Sequence, residues 1–88
     1  MSQPSLTTAM KDLLLAIAGR SRALRWAKGW KPEKPGTPVF RHNTGEALVG
    51  KGLAETRYGP GPVKLHLTPK GEELALQIKE ARQQRARA

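Results

Sequence analysis

A small α+β domain is the predicted fold class, and three observations predict it. Apolar residues recur at helical spacing near the start, two alternating segments flank GPGP at 59–62, and LTPKGEEL opens a long helical pattern at 67–74. Eighty-eight residues make one domain, and a hydrophobic fraction of 38% supports one modest core. With no cysteine, packing alone holds it.

The first helix is expected over 6–18, where Leu6, Met10, Leu13, Leu14 and Ile17 share a face. Ser5 or Thr7 caps its start and Gly19 ends it. The next segment, RSRALRWAKGW at 20–30, spaces Ala23, Ala27 and Trp30 at i, i+4 and i+7, which predicts a short basic helix. KPEKPGTP at 31–38 holds three prolines and a glycine and is expected as an extended surface loop.

Helix is expected again after Phe40, with Asn43 as N-cap and Glu46 completing a capping box. Lys51 would be its last residue, Gly52 the left-handed residue that stops it, and Leu53 would pack back on Leu48. AETRY at 54–58 and VKLHL at 63–67 then alternate as strands do, with Val63, Leu65 and Leu67 on one face. In the final helix, expected from about Pro69 to Arg85, Thr68 is the cap, Pro69 sits at the first helical position, and Leu74, Ile78 and Ala81 form a seam.

This layout disposes of one suggestive motif. GEALVGKG at 45–52 falls one residue short of a phosphate-binding loop, with Gly52 where Ser or Thr is needed. A phosphate loop follows a strand and opens a helix, whereas this stretch closes one.

Sixteen Lys and Arg against seven Asp and Glu give a formal charge of +9, and the pI is near 10.7. Such a balance favours polyanionic partners, nucleic acid first. No apolar run approaches a membrane span and MSQPSLTTAMKD lacks the pattern of a signal peptide, so the expected location is cytoplasmic, on the nucleoid if DNA is bound. His42 and His66 stand far apart with no carboxylate at ligand spacing, and no nucleophile has a local base. Neither enzyme, metal site nor cofactor is expected.

Two motifs carry a family resemblance. TGEALVGKGLAE at 44–55 is similar to the end of the recognition helix in regulators of the MarR type, where a Thr-x-x-x-Leu-x-x-x-Gly-Leu pattern leads into the first wing strand. LHLTPKGEEL at 65–74 resembles the second wing strand running into the last helix. The resemblance covers roughly 40–80 and implies a winged helix-turn-helix domain of three to four helices with a two- or three-stranded wing. The departure lies upstream, where KPEKPGTPVFR replaces the helix and tight turn before the recognition helix, and TPVF could supply a third strand.

The resulting division is a flexible N-terminus at 1–5, a winged-helix domain at 6–82 with a basic proline-rich loop at 30–39, and a basic flexible tail at 83–88. The resemblance implies double-stranded DNA as partner and a small bacterial or phage transcriptional regulator as function. Arg41, His42, Asn43, Thr44 and Lys51 would address the major groove, and Arg57, Tyr58 and Lys64 of the wing would address the backbone. Arg20, Arg22, Arg25 and Lys28 are further backbone candidates, with Trp26 and Trp30 interleaved. So short a reading surface implies a homodimer or a partner from the transcription machinery. The rival expectations are a winged module that engages polymerase, ribosome or another acidic partner, and an RNA-binding protein.

Overall fold

The computed structural model describes residues 6–19 and 21–87, with side chains through Gln84. The chain runs α1 (Thr8–Ala16), β1 (Ala23–Trp26), β2 (Gly29–Pro32), α2 (His42–Gly50), β3 (Ala54–Arg57), β4 (Lys64–Leu67) and α3 (Pro69–Arg87). This is an α+β architecture of three helices and one four-stranded antiparallel sheet in the order β2-β1-β4-β3. Ser5 and Arg20 lie outside the described residues.

In α1 the hydroxyl of Thr7 accepts the Met10 N–H at 3.2 Å, so the helix starts two residues later than its apolar pattern predicts. It also ends earlier, at Ala16. Leu13, Leu14 and Ile17 on its inner side are fully buried. Each contributes roughly 1.5–3 kcal/mol by leaving water.

The largest correction concerns the basic helix expected over 20–30: from Ala23 to Pro32 the chain forms a β-hairpin. Ala23 pairs with Pro32 and Trp26 with Gly29, leaving Ala27 and Lys28 as the turn. Read with period two, Ala23, Trp30 and Pro32 face the core while Leu24 and Lys31 face outward. Pairing with β4, which includes Arg25 N–H to Val63 O at 2.9 Å, gives β1 a neighbour on both sides. Tertiary pairing therefore overrides the local helix preference of Ala, Leu, Arg and Lys.

The proline-rich loop is correspondingly shorter, since Lys31 and Pro32 belong to β2. TPVF forms no strand; Phe40 alone bridges Trp30, through N–H to O bonds of 2.6 and 2.8 Å. At Gly29, φ is +145° and the Phe40 carbonyl approaches so closely that no Cβ would fit.

Helix α2 begins with Arg41 as its N-cap residue, and no side chain caps it. Asn43 is thus the second helical residue, and the expected Asn43–Glu46 capping box is absent. The other end follows the expectation closely. Gly52 has φ +74°, its N–H reaches Val49 O at 3.0 Å, and the Leu53 N–H reaches Leu48 O at 3.0 Å. These two bonds define a Schellman ending, and Leu48 and Leu53 are both fully buried.

The second hairpin pairs Ala54 with Leu67 and Arg57 with Lys64, and 58–63 form its tip. Thr68 then joins two helices. Its hydroxyl donates to Gly52 O at 2.7 Å and accepts the Gly71 N–H at 3.1 Å, which caps α3. In the seam of α3, Leu74 and Ala75 are buried and Ile78 packs beside them, whereas the expected Ala81 is exposed.

All three helices contribute to one core on one face of the sheet. On the opposite face Lys31, Leu24, Lys64 and Arg57 stand in register across the four strands, and none is buried. That face is open.

Candidate functional site

Strand register brings three segments together at one end of the molecule. Because Arg25 bonds Val63 across the β1–β4 pair, the turn at Ala27–Lys28 and the tip at 58–63 project from the same end of the sheet. The start of α2 joins them, since His42 Nε2 donates to the Trp26 carbonyl at 2.7 Å. Trp30 locks the arrangement from below, its indole N–H reaching His42 O at 3.3 Å.

The composition of this end is one-sided. Arg25, Lys28, Arg41 and Arg57 lie on or beside the three segments, against Glu46 and Glu55. Glu55 is already paired with Arg57 at 2.9 Å. Arg25, Lys28 and Arg41 are exposed and form no ion pair among the described residues, so their charge is presented to solvent.

Nine residues of α2 extend about 13 Å. Gly45 and Leu48 face inward, and Arg41, Asn43, Glu46 and Val49 face out. The inward position of Gly45 has a direct cause: a Cβ there would stand 2.5 Å from Trp30 Cδ1 and closer still to Nε1. Gly45 lets the indole lie against the helix.

The sequence-derived candidates divide accordingly. Arg41, Asn43, Arg25, Lys28, Arg57 and Tyr58 gather at the shared end, and Tyr58 is 77% exposed. Thr44 is half-buried there, and its N–H bonds back to Arg41 O at 3.0 Å. His42 is half-buried and its ring is committed to the hairpin, so it holds the end together. Lys51 stands at the far end of α2. Arg22 is at the far end of β1, joined to Glu33, and Lys64 belongs to the open sheet face. Arg20 lies outside the described residues.

Sequence reasoning misses Glu46 and Lys31 as site residues and names Trp26 only as interleaved among the basic residues. Glu46 was assigned to a capping box, yet it points outward in the middle of α2. Trp26, 47% exposed, and Lys31, whose Nζ sits 4.0 Å from the centre of the Trp26 ring, lie on the open face. The alternation of Trp30, Lys31 and Pro32 was the available signal.

Two titrating groups lie on the sheet's outer face at the end away from the site. Burial, then the charges of Arg57 and Arg22, hold His66 below its usual 6.5. The Arg22 hydrogen bond holds Glu33 below 4.5. Among the described residues no group of three or more His, Cys, Asp or Glu could hold a metal ion, and no helix is long and apolar enough to cross a membrane.

No family model, curated protein or solved structure matches this chain. The functional reading therefore rests on the geometry.

Proposed function

We propose that this chain binds double-stranded DNA as a winged-helix domain in which a β-hairpin replaces the helix before the reading helix. The observation that carries this reading is the convergence of the α2 start with two hairpin tips at one end, where Arg25, Lys28, Arg41 and Arg57 gather. In the winged arrangement β1, β4 and β3 are the sheet, α2 enters the major groove and 58–63 is the wing tip. A helix this long fits one groove.

The outward residues of α2 have complementary chemistry. Arg41 suits guanine O6 and N7, Asn43 suits adenine N6 and N7, and Glu46 accepts from cytosine N4. Arg25, Lys28 and Arg57 flank them as phosphate contacts, which add affinity without sequence information. A small transcriptional regulator, paired with a second copy or with a protein of the transcription machinery, is the role that suits so short a reading surface.

The test is a titration of duplex DNA at two salt concentrations with wild-type and Arg41→Ala protein. Arg41→Ala should weaken the best site by about 1–3 kcal/mol and relax the base preference at one position. A duplex that fails to bind even at low salt removes the proposal. Capture of an acidic protein that survives nuclease treatment would favour an interaction module instead.

A further inference from the structure

Beyond duplex reading, we infer that the open face of the sheet is a platform for a single-stranded nucleic acid, with Trp26 as its stacking surface. Four observations place the chemistry together. Trp26 is 47% exposed on the outer face of β1, although most large apolar side chains of this chain are buried. Its cross-strand neighbour is Gly29, which has no side chain to cover the ring. Lys31 rests on the ring at 4.0 Å, and the register continues from Lys31 through Leu24 and Lys64 to Arg57.

That row crosses four strands, about 14 Å at 4.8 Å per strand. It carries three cations, of which Lys31 and Lys64 form no ion pair among the described residues and Arg57 is shared with Glu55 on the next pleat. A flexible backbone laid along the row meets a cation on β2, β4 and β3, while Trp26, one pleat nearer the hairpin turn, takes an unpaired base. Duplex DNA cannot use the Trp26 ring, because its bases are stacked on one another and offer no π-face. The ligand is therefore a strand with free bases, and the 2′-hydroxyl decides between RNA and DNA.

Lys31 has two roles in this arrangement. Without a ligand it occupies one face of the Trp26 ring; with a strand bound, its ammonium turns to the phosphate and the base takes the vacated face. The exchange keeps both groups partnered.

The experiment titrates the intact protein with a short oligothymidylate and an oligouridylate, following tryptophan emission and the anisotropy of a labelled strand. Trp30 is 2% exposed and stays silent, so quenching reports Trp26. Trp26→Leu, which keeps an apolar side chain and loses the π-face, should weaken binding about fivefold or more, whereas Trp26→Phe retains most of it. Lys31→Ala and Lys64→Ala should each lower the salt slope by about 0.7, the value for one phosphate on a single strand. Preference for one strand identifies the sugar. Wild-type affinity in Trp26→Leu, unchanged emission on binding, or no binding of either strand at low salt overturns the inference. Duplex affinity, measured in parallel on Trp26→Leu and Arg41→Ala, separates its failure from that of the groove-reading proposal.

Discussion

Gly45 lies flat against the indole of Trp30, and a methyl group at that position would overlap the ring nitrogen. Trp30 cannot retreat, because it is buried, bridged to Phe40 and bonded to His42 O. Gly45→Ala should therefore destabilise the fold by about 1–3 kcal/mol through overpacking. Gly50 in the same helix has open space around it, so Gly50→Ala should stabilise by up to about 1 kcal/mol. Urea denaturation of the two variants checks both signs.

Thr68 serves two backbone groups with one hydroxyl. Thr68→Ala leaves the Gly71 N–H without its cap and the Gly52 carbonyl without its donor. The expected loss is about 1–2 kcal/mol. Thr68→Ser should recover most of it, and thermal melting of the pair distinguishes a hydroxyl effect from a packing effect.

The depressed pKa of His66 predicts a pH dependence of definite sign. The unfolded chain binds the proton near 6.5 and the folded chain only below that, so folding releases protons in this window. Stability is full above pH 6.5 and is lost as pH falls through the folded value. Glu33 adds loss in the same direction below 4.5. His66→Gln should flatten the first part of the decline in a series of melts from neutral to acid pH.

Lys28 at the turn between β1 and β2 is a phosphate contact in the duplex reading. Lys28→Ala should weaken all duplexes by a similar factor and reduce the salt slope by about 1. A change confined to one sequence would move Lys28 from the backbone to the bases.

The elements legible in the sequence are those whose ends carry backbone chemistry. Gly52 announces a left-handed stop, Thr68-Pro69 announces a helix start, and GPGP allows only a turn, so α2's end, the second hairpin and α3 follow from local rules. The first hairpin lacks such marks. Its turn is Ala27-Lys28, two good helix formers with neither the Asn nor the Gly that hairpin turns usually need. What decides it is β4, forty positions away, and local pattern does not contain that partner. Asn43 suits a cap by its side chain, but the chain is already helical from His42, whose ring is bonded to the Trp26 carbonyl of the first hairpin. Most candidate cations were identifiable by composition; their gathering at one end was not, because it depends on the β1–β4 register.

The junction between α2 and α3 has a mechanical meaning. Besides the Thr68 hydroxyl bonds, the Thr68 N–H reaches Leu53 O at 3.1 Å, and Gly71 lies so close to that carbonyl that no Cβ would fit between them. The contact is backbone against backbone, with little compliance. α3 extends about 28 Å from this point. Leu74, Ala75 and Ile78 hold it in the core and Arg82 ties it to Asp12 of α1, so the stop of α2, the start of α3 and α1 form one stiff corner.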